Sequence, residues 1–444
     1  YVLSAAGASV GLGNIWRFPY LAAKYGGGIF LLVYIILALT FGYTMIVAES
    51  ALGRMTRKSP VGAFRSFAKG KKVGWLSFGG WINAIIPVLI VPYYSVIGGW
   101  VVKYLFEYIR GNGSKLAEDG YFSGFISNGG ATELCSVIFC LFTLVIIYAG
   151  VQNGIERVSK IMMPILIVLS VIIAIYSVTR PGAIEGVKYF LVPNIKNFSW
   201  MTVVTAMGQM FYSLSIAMGI LVTFGSYMRK DTSIEDSTRN VEIFDTAIAM
   251  MAGLMIIPAV FAFSGGDPDT LQAGPSLMFI TIPKVFANMG FGTAVGILFF
   301  VLVLFAAVTS SIALTESAVS TFEDELGWGR KKATILTGVI MIALGTLSCL
   351  GYGPLDFVKI IGMQFLDFFD FLTNSVMMPI AALMTSLLVS RVIGVDKIEE
   401  EIRHGESAFR RKKIFVVMIK YLCPIFALII LASSVANAFG WISM

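Results

Sequence analysis

Residues 7–19, GASVGLGNIWRFP, place Gly7, Ser9, Gly11, Gly13 and Asn14 inside an apolar stretch long enough to cross a bilayer. Each glycine weakens a helix by roughly 1 kcal/mol relative to alanine. Unwinding within hydrocarbon frees N–H and C=O groups, which is tolerable only where protein or water satisfies them. A membrane helix interrupted in this way is the usual binding element of secondary transporters.

Composition agrees with a membrane setting. The 444 residues are 57% hydrophobic and 13% charged, with mean hydropathy +0.83. Apolar runs of about 20 residues, enough for ~30 Å of hydrocarbon, recur at 1–24, 28–53, 78–107, 131–149, 155–178, 200–228, 241–263, 291–322, 331–350, 367–393 and 413–442. They predict an all-α polytopic protein of eleven spans. Of the 33 Lys and Arg, 22 fall in the loops 54–77, 155–160, 229–240, 330–332 and 391–413, and eight in the alternate loops. The positive-inside rule then predicts a multi-pass plasma-membrane protein with the N-terminus cytoplasmic and the C-terminus outside. A net charge of +7 follows from the same asymmetry and gives no reason to expect nucleic acid. Tyr1 already falls within a span, so a short cytoplasmic tail is expected to precede it. Cys135, Cys140, Cys349 and Cys423 lack metal spacing and read as packing residues. No P-loop supports ATP drive, and no nucleophile–base constellation supports an enzyme.

A second interruption lies at 206–219, AMGQMFYSLSIAMG, where Ser213, Ser215, Ala217 and Gly219 sit between apolar flanks. The first interruption opens span 1 and this one opens span 6. Five spans plus five spans, each set starting with a broken helix, is the pattern of an inverted repeat. The repeats are expected over about 1–180 and 200–395 of a single transporter domain, with an extra helix at about 413–442.

GLGNIWRFPY (11–20), YGGGIF (25–30), GQMFYSLSIAMG (208–219) and FAAVTSSIA (305–313) resemble the neurotransmitter:sodium symporter family along essentially the whole chain. Eleven spans, short outer loops and GIERVSKIMMP in span 5 are similar to its bacterial amino-acid branch. The resemblance implies a leucine-transporter-type fold and sodium-driven uptake by alternating access. An amino-acid substrate brings a carboxylate, an ammonium and a side chain, and each charge must be met at the bilayer midplane.

On that resemblance, the Leu12 and Gly13 amides and the Tyr94 hydroxyl would meet the substrate carboxylate. Gly11 stands where monoamine members carry Asp, which leaves room for the substrate's own carboxylate. Ile90, Tyr212, Ser213, Ile216, Ala217, Met218, Ser311 and Leu314 would contact the substrate or line its side-chain pocket. With no charge among them, acidic and basic substrates are disfavoured, and Ala217 with Met218 hints at room for a bulky hydrophobic or aromatic residue. Two Na⁺ sites are implied. The first would use Ser9, Asn14, Ser213 and Asp245, and the second Gly7, Val10, Ala306, Thr309 and Ser310. Asp245 is an intramembrane acid, a functional candidate by default. Its carboxylate would replace the chloride that other members bind, so no chloride is expected.

The resemblance also implies gates. Arg17 and Asp370 would form the outer one with Gln209 nearby, Asp367 being the alternative partner. Tyr227 and Asp324 would form the inner one, with their Arg in the tail and the gate left ajar without it. Gly154 and Pro164 would bracket an unwinding stretch of span 5 that opens a sodium exit, or a simple kink. Glu49 would cap free amides of the broken span 6. A monomer suffices for transport, and the oligomeric state stays open. The competing readings are a proton-coupled or sodium-independent carrier, and a non-transporting amino-acid sensor, on the same fold.

Overall fold

The computed structural model describes residues 2–70, 72, 74–267 and 275–443, so Tyr1 and Lys71 lie outside the described residues. Nine helices among these are long and apolar enough to cross a membrane. In chain order with the two interrupted spans they are α1 (Val2–Ser9, then Gly13–Arg17 running into Phe18–Lys24), α2 (Gly28–Thr56), α3 (Gly74–Ile109), α4 (Gly129–Tyr148), α5 (Val151–Val178) and α6 (Trp200–Ser213 and Ile220–Tyr227). The rest are α7 (Ile234–Ser264), α8 (Gly292–Leu326), α9 (Arg330–Leu350), α10 (Phe365–Ile393) and α11 (Lys412–Ala438). The two spans missing from the continuous nine are α1 and α6. Each reaches the length of a span only when its two pieces are joined across a break.

Burial sorts the helices. The most apolar windows of α3 and α8 are 78% and 72% buried, against 39% for α4 and 33% for α11. The first piece of α1 packs on α8 and α7 and both pieces of α6 pack on α2, whereas α4 and α11 are peripheral. At ~1.5 Å rise per residue, the 36 residues of α3 and 35 of α8 exceed the ~30 Å hydrocarbon thickness and project beyond it.

Helix α6 starts on a reciprocal cap. Thr202 N–H donates to Ser199 Oγ (3.3 Å) and Ser199 N–H to Thr202 Oγ1 (3.2 Å). It stops at Ser213 because Ser215 (φ 55°), Ala217 (φ 59°) and Gly219 (φ 74°) adopt left-handed backbone. That region costs a non-glycine residue roughly 1–2 kcal/mol, so the turn requires outside support. Glu49 of α2 supplies it, with Oε1 accepting the Ala217 N–H at 2.8 Å.

The basic loops gather at one end of the bundle. Buried Arg54 at the end of α2 donates from Nε to Glu401 (2.6 Å) and from Nη1 to the Thr232 carbonyl (2.6 Å). Lys230 joins Glu401 at 2.7 Å, and Arg411 pairs with Glu242 at 3.2 Å. The loops following α2, α6 and α10 thus share one face.

Helix α5 is continuous over the stretch where unwinding or a simple kink was expected. Arg157–Val178 stays α-helical through Pro164, and only Val151–Glu156 departs, as a π-turn. No unwound stretch separates Gly154 from Pro164. Gly154 provides clearance, because a Cβ there would stand 2.0 Å from the Ile146 carbonyl of α4.

Candidate functional site

The two breaks face each other across a small buried cavity. Its lining includes Leu12, Gly13, Ile90, Tyr94, Tyr212, Met218 and Leu314, all anticipated from sequence, together with Gly11, Ser215 and Ser310. Leu12 N–H donates to the Tyr94 hydroxyl at 3.4 Å, which brings the backbone amide and the phenol to one spot. The glycines allow this approach. A Cβ on Gly13 would stand 2.3 Å from the Tyr212 ring, and one on Gly11 2.6 Å from Ser310 Oγ.

Four anticipated pocket residues point elsewhere. Ser213 Oγ donates to Asp245 Oδ1 (2.5 Å), Ala217 is tied through its N–H to Glu49, and Ile216 is buried outside the lining. Ser311 Oγ turns to Thr143 of α4 at 3.2 Å, behind the cavity. For Ile216 and Ala217 the cause is the left-handed turn. Helical periodicity stops at Ser213, so face assignments carried past it fail, and Ser215 enters the cavity in their place.

Asp245 of α7 is fully buried beside the first break. Its Oδ1 accepts from Asn14 Nδ2 (2.9 Å) and Ser213 Oγ, and its Oδ2 from the Tyr34 hydroxyl of α2 at 2.5 Å. Asn14 Oδ1 turns back to the Gly11 N–H at 3.4 Å. Ser9 lines the cavity with its hydroxyl donated to Ala6 (2.9 Å). A carboxylate, an amide oxygen and hydroxyls packed this closely form a hard-oxygen set of the kind alkali and alkaline-earth cations use. Tyr34 was missed in the sequence, where it is one aromatic in an apolar run.

A second oxygen cluster joins α1 to α8. Ser310 Oγ lies 3.4, 3.1 and 3.3 Å from the carbonyls of Gly7, Ala8 and Val10. Thr309 Oγ1 donates within α8 to Phe305 (3.0 Å) and Ala306 (3.1 Å), so the Ala306 carbonyl and both hydroxyls share the cluster. A Cβ on Gly7 would sit 3.3 Å from Thr309 Cβ, so glycine keeps the two helices close.

Outside the cavity lies a vestibule of about 400 Å³ lined by Arg17, Tyr212, Asp367 and Asp370. Arg17 stacks over the Tyr212 ring at 5.6 Å and makes no ion pair within 4 Å among the described residues. Asp370 accepts from Tyr93 (3.2 Å) and Asn374 (2.5 Å), whereas Asp367 is held by Tyr352 (3.1 Å). Gln209 Nε2 donates to the Gly13 carbonyl at 3.1 Å, which locks the outer half of α6 to the first break.

At the opposite end Tyr227 and Asp324 do not meet. Tyr227 donates to Glu316 (2.7 Å), and Arg330 forks onto the same carboxylate at 2.5 and 3.0 Å. Asp324 instead accepts the Ser59 N–H at 2.5 Å, at the start of the short helix Pro60–Ala68. The inner end thus carries a three-residue cluster of Tyr227, Glu316 and Arg330. Glu316 is an acid within an apolar span, so the rule that singled out Asp245 finds it too. Arg330 was legible only as a topology charge.

Two interrupted helices facing each other at mid-membrane, with a buried acid and hydroxyl clusters at their breaks, define a secondary transporter. A family model described as the sodium:neurotransmitter symporter family matches residues 1–114 and 122–440. The sodium-dependent transporter YhdH of Bacillus subtilis is 36% identical over 92% of this chain and 90% of its own length. A sodium-dependent transporter of Haemophilus influenzae is 32% identical over 98% and 96%. Human sodium- and chloride-dependent GABA transporter 2 is 27% identical over 90% and 73%. The crystal structure of MhsT in complex with L-phenylalanine matches with TM-score 0.86 and 36% identity, covering 98% of this chain and 97% of that one. The chain belongs to the sodium:neurotransmitter symporter family. It is a sodium-dependent multi-pass membrane transporter with the leucine-transporter-type fold, of a family of transporters rather than enzymes.

Proposed function

We propose that this protein imports neutral, bulky hydrophobic or aromatic L-amino acids with two Na⁺ ions and without chloride. The observation that carries the reading is the Asp245 carboxylate, gathered by Asn14, Ser213 and Tyr34 beside the free backbone of Gly11–Gly13. A fixed negative charge at this place supplies what a bound chloride would supply elsewhere, and its attraction for Na⁺ is strong in a low-dielectric site. The Leu12 amide and Tyr94 hydroxyl take the substrate carboxylate, which itself completes the first sodium site. Gly7, Val10, Ala306, Thr309 and Ser310 hold the second ion, which ties α1 to α8 and favours the outward-facing arrangement. Loss of that ion on the cytoplasmic side frees α1 and then the substrate.

Substrate class follows from the apolar side of the cavity, Ile90, Tyr212, Met218 and Leu314. The neighbour MhsT was solved with L-phenylalanine, which supports the same class here. The cavity volume is about 30 Å³. That exceeds the roughly 10–15 Å³ that admits a water and falls far short of an aromatic amino acid, so Met218 and the Tyr212 ring move aside on loading. Arg17 and Asp370 close over the substrate, and the Glu316, Arg330 and Tyr227 cluster opens after it. The chain acts as a single domain with inverted repeats over about 1–180 and 200–395, the N-terminus cytoplasmic and the C-terminus outside.

The sodium-dependent relatives count against a sodium-independent carrier. Uptake of labelled phenylalanine, tyrosine and leucine into proteoliposomes tests the reading. An inward Na⁺ gradient is expected to drive accumulation equally in chloride and gluconate. Accumulation that fails in gluconate contradicts chloride independence, and binding without counterflow identifies a sensor.

A further inference from the structure

On the outside of the bundle, α4 and α9 leave an apolar groove of about 380 Å³. Its α4 wall is Leu141, Leu144, Val145 and Tyr148, spaced as one helical stripe, and α9 contributes Ile335, Val339 and Ile342. Val145, Ile335 and Val339 are 68%, 63% and 59% exposed, so this wall faces the surrounding medium. The floor is made of small residues, Thr334 and Gly338. A Cβ on Gly338 would stand 2.8 Å from Leu144 Cδ1, so glycine sets the depth of the groove.

Two features make one end of the groove unlike a plain lipid-facing seam. Thr334 is buried in its floor at 3% exposure, and its Oγ1 makes no hydrogen bond among the described residues. Charge is the second. Lys331 Nζ lies 5.7 Å over the ring of Tyr148, at the mouth. Lys331 is four residues before Ile335 and Lys332 three, so helical spacing puts both above the groove. Both are exposed and form no ion pair among the described residues, since Glu316 and Glu323 are taken by Arg330. They also stand in the first turn of α9, where the N-cap Gly329 offers no side-chain acceptor. Cations are unfavourable at that end of a helix, and an anion is favourable. Exposed Trp328 and Tyr148 mark the same level as the membrane–water interface.

We infer that this groove binds a glycerophospholipid with an anionic headgroup, one acyl chain lying between α4 and α9 and the phosphate on Lys331, Lys332 and the first amides of α9. The Thr334 hydroxyl supplies a hydrogen-bond donor at the glycerol level. Arg330 continues from the same turn to Glu316 and Tyr227, so the lipid sits one residue from the inner ion cluster. This inference is independent of which amino acid the central site takes.

Native mass spectrometry of the full chain in detergent, titrated with phosphatidylglycerol or phosphatidylcholine of identical acyl chains, tests it. Each lysine is expected to contribute about fivefold to phosphatidylglycerol affinity, so K331A/K332A loses roughly 25-fold and the preference over phosphatidylcholine with it. Val145→Trp, which fills the groove, lowers retention of both lipids. Sodium-dependent amino-acid binding by each variant checks folding. A photoactivatable phosphatidylglycerol is expected to label peptides of α4 and α9 in the unmutated chain, which needs no variant at all. Equal retention of the two lipids, an unchanged preference in K331A/K332A, or label confined to other helices overturns the proposal. So does a dimer that disappears in Val145→Trp regardless of headgroup, because a second copy then covers this face.

Discussion

The two interruptions are built by opposite means. At the first, Gly7, Gly11 and Gly13 all lie outside the left-handed region, and their value is clearance, since a Cβ on Gly11 would collide with Ser310, one on Gly13 with Tyr212, and one on Gly7 would crowd Thr309. At the second, Ser215 and Ala217 hold left-handed backbone that their side chains resist, and a buried glutamate from another helix holds the turn. One break is shaped by missing side chains and the other by an added hydrogen bond. The first therefore presents bare backbone to a ligand, while the second fixes the direction in which α6 re-enters the membrane.

That contrast makes ordered predictions. The largest effect is expected at the first break. Gly13→Ala sets a methyl against the Tyr212 ring. Overpacking of this kind costs about 1–3 kcal/mol, so scintillation-proximity binding of labelled phenylalanine is expected to weaken roughly 10- to 100-fold. Unchanged affinity would show that Tyr212 is free to yield and that clearance is not the role of Gly13.

A somewhat smaller loss is expected at the second break. Glu49→Ala leaves the buried Ala217 amide without its acceptor, a penalty of about 1–3 kcal/mol, part of which water recovers. Binding should fall about tenfold and Tm with it, while Glu49→Gln, which keeps an acceptor oxygen, should restore most of both. Equal damage from Gln and Ala would assign Glu49 a charge role instead. The smallest effect, of opposite sign, is expected for Ala217→Gly. Relief of left-handed strain is worth about 1 kcal/mol, less the entropy that glycine adds to the unfolded chain, so Tm in detergent should hold or rise slightly. A marked fall would mean that the Ala217 methyl packs in a way the strain account omits.

The same contrast explains what the sequence disclosed. Membrane spans are written in composition, and a glycine cluster inside a span is visible without any partner, so eleven spans and both breaks were legible. Side-chain directions beyond Ser213 were not, because they follow from the φ angles of Ser215 and Ala217 and leave no periodic trace. Partners far apart in sequence were equally hidden. Tyr34 reaches Asp245 across 211 positions, and Asp324 turned from the inner gate to the Ser59 amide across 265. Gly154 was ambiguous for a related reason, since a glycine that weakens a helix and one that lets α4 approach look alike until the neighbour is seen.

The central claim is that Asp245 makes sodium coupling self-sufficient in charge. Its most direct test is Na⁺-titrated binding of labelled phenylalanine to the wild type and to Asp245→Asn, each in chloride and in gluconate. The account predicts that wild-type binding requires Na⁺ and is the same in both anions, and that Asp245→Asn binds poorly in gluconate. Wild-type binding that collapses in gluconate, or an Asp245→Asn variant that binds like wild type without chloride, contradicts it.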